Sequence, residues 1–140
     1  MIPIKIETLL DGRRVEQNRI EYKEGFNPSD IVHTICAYAN DIAGVDGGYL
    51  VIGVKAKDGI PVLPPEGLPQ ECLDDIQLKI FQYCNKIEPR YIPKIEVVEY
   101  KGAHLVYLKC SAGDAGPYQA PLDVYSKKEA GKVQDRTMKY

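Results

Sequence analysis

The sequence lacks the features that mark several large function classes. Its longest apolar run, Tyr49 to Val54, falls far short of the about 20 residues needed to cross a membrane, so no transmembrane helix is expected. The N-terminal stretch MIPIKIETLLDGRR has no apolar segment leading to a small-residue cleavage site. It does not read as a secretory signal, and a cytoplasmic location is expected. Only two histidines are present, His33 and His104, and GxSxG, HExxH and paired-His signatures are absent, which leaves most His-based chemistry without its parts. Both histidines read as structural. No GxxxxGK[ST] occurs, so the usual phosphate-cradling loop of NTPases is missing. The nearest glycines, Gly47, Gly48 and Gly53, read as a tight turn and a strand position that another backbone passes closely. Cys36, Cys72, Cys84 and Cys110 form neither a CxxC pair nor a compact disulfide framework, and they read as reduced thiols.

What the sequence does contain is one ordinary soluble domain: 140 residues, 44% hydrophobic, 27% charged, with a formal charge of −2. The average conceals a division along the chain. Residues 1–23 sum to +1, residues 24–126 to −6 and residues 127–140 to +3. A basic surface must therefore be assembled from the two ends together with isolated middle residues such as Lys55 and Lys57.

Pro3 to Leu10 reads as a short helix stopped by Asp11-Gly12. Arg19 to Lys23 alternates like a half-exposed strand that places Arg19, Glu21 and Lys23 on one face. Asn27-Pro28-Ser29-Asp30 is a helix start, with Asn27 as cap, and Ile31, Ile35, Tyr38, Ala39 and Ile42 follow at helical spacing. Tyr49 to Val54 suits a central strand buried on both faces. After an Asp58-Gly59 turn and a proline-rich loop, a second helix is expected over about 70–86. Ile95–Tyr100 and Ala103–Leu108 flank Lys101-Gly102, a two-residue hairpin signal. Leu122 to Tyr125 reads as a short strand, and the last residues close no element, as in a domain cut from a longer protein. The fold class is α/β (α+β): a β-α-β-α-β-β two-layer sandwich with a mixed sheet and two main helices.

Three carboxylates stand out. Glu16 and Glu21 are five apart, and Asp58 follows the central strand. If they converge, they would suit Mg²⁺ or Mn²⁺, since hard cations take oxygen ligands and activate water for phosphodiester cleavage. The plainer alternative is three surface carboxylates.

Glu16-x4-Glu21-Tyr22-Lys23, Ile35-Cys36-Ala37-Tyr38-Ala39-Asn40, Gly47-Gly48-Tyr49-Leu50-Val51-Ile52-Gly53-Val54 and Asp58-Gly59, taken in that order, resemble the Schlafen-type Alba-like domain, over roughly Ile4 to the chain end. The resemblance implies an Alba-like fold and a bacterial DNA- or RNA-binding module, often N-terminal in transcriptional regulators or helicase-related proteins. By motif position it also matches Glu16 and Glu21, and approximately Asp58, to a Schlafen nuclease site. One segment departs from the family: a short Asn-Thr-x-Gly-Gly turn is replaced by the longer, acidic Asn40–Gly48, which would move the turn away from nucleic acid.

Three functions compete. A nucleic-acid-binding module would contact phosphates through Lys23, Arg13, Arg14, Arg19, Lys55 and Lys57, with Lys127, Lys128 and Lys132 as additions, and would need no cofactor. A Mg²⁺- or Mn²⁺-dependent ribonuclease would use Glu16, Glu21 and Asp58, with Lys23 stabilising the developing phosphate charge. An interaction domain would form a homodimer through the hairpin edge, and an ATP-binding helicase-related module is a further alternative.

Overall fold

The computed structural model describes residues 2–11, 19–124 and 137–139. Helix α1 spans Ile6–Leu9, strand β1 Ile20–Lys23, helix α2 Pro28–Asn40 and strand β2 Gly48–Ile52. A small hairpin of β3 (Ala56–Lys57) and β4 (Ile60–Pro61) leads to a 3-10 turn at Gln70–Cys72 and helix α3, Leu73–Cys84. Strands β5 (Lys94–Tyr100) and β6 (Ala103–Cys110) form the main hairpin, and β7 (Gln119–Pro121) pairs antiparallel with β8 (Thr137–Lys139).

The four-stranded sheet has the order β1-β2-β6-β5, with β1 parallel to β2 and the other pairs antiparallel. This is the mixed sheet and the β-α-β-α-β-β order expected from the sequence. Strand β2 is buried at every position, because both sheet faces are covered. Leu50, Ile52, Val106, Leu108 and Cys110 pack under α2 and α3, whereas Tyr49, Val51, Leu105 and Tyr107 pack under the N-terminal segment and α1. That second cover adds a thin third layer to the sandwich. It is tied at both sheet edges: the Ile2 backbone N–H donates to Glu96 of β5 at 3.0 Å, and the Tyr22 hydroxyl of β1 donates to the Leu9 carbonyl at 2.5 Å.

Local signals explain the main elements. The Asn27 side chain accepts from the Asp30 N–H at 3.3 Å and Pro28 occupies the first turn, so α2 starts where its cap dictates. Lys101 and Gly102 both have positive φ, 49° and 82°, the conformation of a two-residue hairpin turn. All four cysteines are free, and Cys36, Cys84 and Cys110 are buried; burial raises the Cys84 thiol to about 12. His33 Nε2 lies 2.8 Å from the Pro121 carbonyl oxygen, a structural tie between α2 and β7.

Three expectations need correction. Ile42 is not part of the α2 stripe: the chain turns left-handed at Asp41, φ 45°, and leaves Ile42 88% exposed. The late strand is Gln119–Pro121, whereas residues 122–124 of the expected strand are not extended into one and Tyr125 lies outside the described residues; Tyr118 and Ala120 are the buried alternating pair while Leu122 is exposed. Ala and Pro are weak strand formers, which hid that alternation. Finally, Thr137–Lys139 does close an element, as the partner of β7.

Candidate nucleic-acid interface

Because side chains alternate along a strand, Glu21 and Lys23 point to the sheet face that carries α2. There Asp30 and Thr34, four residues apart on α2, meet them. Lys23 Nζ lies 2.7 Å from Asp30 Oδ2 and 3.4 Å from Glu21 Oε2, and Thr34 donates its hydroxyl to Glu21 Oε2 at 3.1 Å. Burial works against the Lys23 ammonium, but the Asp30 hydrogen bond and the charges of Glu21 and Asp30 outweigh it, and the net effect raises its pKa. Lys23 is therefore closed off by two carboxylates. The sequence signal for Asp30 and Thr34 is only their i, i+4 spacing opposite a Glu-x-Lys strand, which does not by itself mark a site.

Asp58 sits in the β3–β4 turn, exposed and with φ 53°. It has no ion pair joining it to Glu21 or Lys23 among the described residues. Nor do any three His, Cys, Asp or Glu side chains among the described residues group so as to hold a metal ion. Glu16 lies outside the described residues, as do Arg13, Arg14, Lys127, Lys128 and Lys132. The described part of the carboxylate set thus supplies no metal site on its own.

The remaining basic candidates lie at opposite ends of the sheet. Lys55 and Lys57 follow the C-terminal end of β2 and are exposed. Arg19 immediately precedes β1, with its guanidinium 5.1 Å above the Tyr38 ring of α2. Beside it runs the acidic loop. Asp41 accepts from the backbone N–H groups of Val45, Asp46 and Gly47, each at 3.0 Å, so its own carboxylate fills the concavity that those donors form. These hydrogen bonds, that of Gly47 foremost, and the charge of Arg19 hold the Asp41 carboxyl below the ordinary carboxylate range.

The glycines at this end serve packing. Gly47 has φ +71°, and a Cβ there would run into the Cys110 carbonyl; a Cβ on Gly48 would strike the Tyr38 ring. At Gly53, the strand position where the sequence predicts a close backbone pass, a Cβ would meet the Leu105 and Leu68 side chains first and the His104 carbonyl at 3.3 Å.

A family described as Schlafen, AlbA_2 matches residues 16–137. Among solved structures, the chain is similar to the N-terminal domain of a Nitrosomonas europaea protein related to the ATP-dependent DNA helicase RecG. The two share 29% identity with a TM-score of 0.55, over 71% of this chain and 66% of that one. The DIP2311 protein of Corynebacterium diphtheriae shares the fold at 19% identity and TM-score 0.51, over 77% of this chain and 24% of that one. The chain thus spans less than two thirds of the length of either neighbour. No curated protein matches it.

Proposed function

The chain belongs to the Schlafen, AlbA_2 family, and from that premise we propose that it is a nucleic-acid-binding domain. The observation that carries this reading is its likeness to the N-terminal domain of a DNA-helicase-related protein. DNA is the ligand we favour, in the setting of a cytoplasmic transcriptional regulator with further domains. Binding needs no cofactor, because Lys and Arg contacts to phosphates supply the attraction. Arg19, Lys55 and Lys57 are exposed contributors, and Arg13, Arg14, Lys127 and Lys128 are added from the sequence.

Fluorescence anisotropy with labelled DNA and RNA of one sequence, titrated with KCl, tests the reading. Affinity should fall steeply as salt rises. No affinity for either at low salt overturns it.

A homodimer is the companion proposal, supported by the outer edge of β5. That strand ends the sheet, and its Val97 is 39% exposed, as in an edge available for pairing. A monomer in light scattering at high concentration removes this part.

A further inference from the structure

Strand register assembles a row that the linear sequence keeps apart. Ile20 pairs with Tyr49, Tyr49 with Lys109, and Lys109 with Lys94, one residue from each strand of the four-stranded sheet. Directly paired residues share a face, and neighbouring strands lie about 4.8 Å apart. Lys94 and Lys109 are therefore paired on the face opposite α2 and α3, with the Lys109 ammonium carried toward β2 by Asp46 and Tyr49. The N-terminal segment is pinned along the next row, at Glu96 and Tyr22, which leaves the lysines at its margin, Lys94 exposed and Lys109 half-buried.

Two like charges directly opposite on adjacent strands repel and weaken the pairing. Within the sheet's registers this is the one pair of facing cations, and neither lysine has an ion-pair partner among the described residues. Lys109 is nonetheless held in place. Its Nζ donates to the Asp46 carbonyl at 2.9 Å and sits 4.7 Å from the centre of the Tyr49 ring, so two of its three N–H donors are left for another acceptor. An ammonium already ordered by its own protein loses less freedom when an anion arrives. Two other lysines are differently disposed: Lys23 is enclosed by Glu21 and Asp30, and Lys79 is paired with Asp75. The backbone donors of Val45, Asp46 and Gly47 are taken up by Asp41.

We propose that Lys94 and Lys109 form a seat for a phosphate of the nucleic-acid backbone, at the β5–β6 margin of the sheet. The proposal rests on the nucleic-acid reading above and specifies its contact face. Tyr49 is buried beneath Lys109, so no ring is offered for base stacking. The seat fixes position without reading sequence.

The test uses the whole 140-residue chain and compares wild type with K94Q/K109Q and with K79Q/K101Q, which removes equal charge elsewhere. The probes are a labelled DNA duplex, the matching single strand and phosphatidylserine vesicles, with thermal melts to confirm folding. The expected result is a loss of about tenfold or more in DNA affinity for K94Q/K109Q, with the slope of log K against log salt reduced by about 1 to 2. K79Q/K101Q should lose clearly less. DNA binding by wild type that is unchanged in K94Q/K109Q, or reduced equally in both variants, overturns the seat and leaves the nucleic-acid reading intact. Wild type that binds vesicles but neither DNA probe, or binds nothing, overturns both.

Discussion

Lys23 Nζ and Asp30 Oδ2 lie 2.7 Å apart, joining the end of β1 to the first turn of α2. A lysine so engaged is a strut before it is a phosphate contact, although its residue type and strand position suggest the reverse. Lys23→Met should destabilise the fold by about 1 kcal/mol, the scale of a partly solvated ion pair, and lower DNA affinity only slightly. Asp30→Asn frees the ammonium from the nearer of its two carboxylates, leaving Glu21, and removes one negative charge, so it should raise affinity by about twofold. Urea denaturation and anisotropy on both variants check the pair of effects; a large affinity loss in Lys23→Met with unchanged stability contradicts them.

Glu96 links the N-terminal segment to the sheet. Its carboxylate accepts from the Tyr107 hydroxyl at 2.6 Å and from the Ile2 N–H at 3.0 Å, and these bonds, Tyr107 first, hold its pKa below the ordinary range. A depressed carboxyl pKa contributes stability that is present above the unfolded value of about 4.3 and lost as pH falls through the folded value. Wild type should therefore lose more stability between pH 5 and about pH 3 than Glu96→Gln does. Parallel urea titrations across that range measure it, and identical acid limbs would remove Glu96 as the linked group.

Much of the framework was legible because its signals are local. Asn27-Pro28-Ser29-Asp30 declares a helix start, Lys101-Gly102 a tight hairpin, and the apolar run at Tyr49 a buried strand, each within a few residues. The site was less legible because its relationships are tertiary. That Asp30 would meet Lys23 depends on how α2 lies against β1, and that Lys94 would face Lys109 depends on β5–β6 register. The acidic loop misled in a different way. Ile42 continues the helical stripe in sequence, but Asp41 turns left-handed and binds three N–H groups ahead, so capping chemistry overrode apolar spacing.

Gly47 separates backbone strain from collision. At φ +71° any Cβ is strained, and here it would also meet the Cys110 carbonyl; Gly44, at φ +69°, has open space around it. Gly47→Ala should cost about 2–4 kcal/mol, and Gly44→Ala about 1 kcal/mol, the conformational part alone. Equal urea midpoints for the two variants would mean that the loop shifts freely away from β6.

The nuclease alternative turns on Glu21. One of its carboxylate oxygens is already shared by the Thr34 hydroxyl and the Lys23 ammonium, so a metal ion taking that oxygen as ligand must displace a resident cation or compete with it. A binding domain of this construction should leave tRNA intact: with Mn²⁺, wild type and Glu21→Ala should give the same background cleavage on a denaturing gel. Glu21-dependent cleavage would show that the Lys23 pair opens and that Glu21 serves the metal. Asp30→Asn then separates the two states, because loosening Lys23 from α2 should not create cleavage in a protein that only binds.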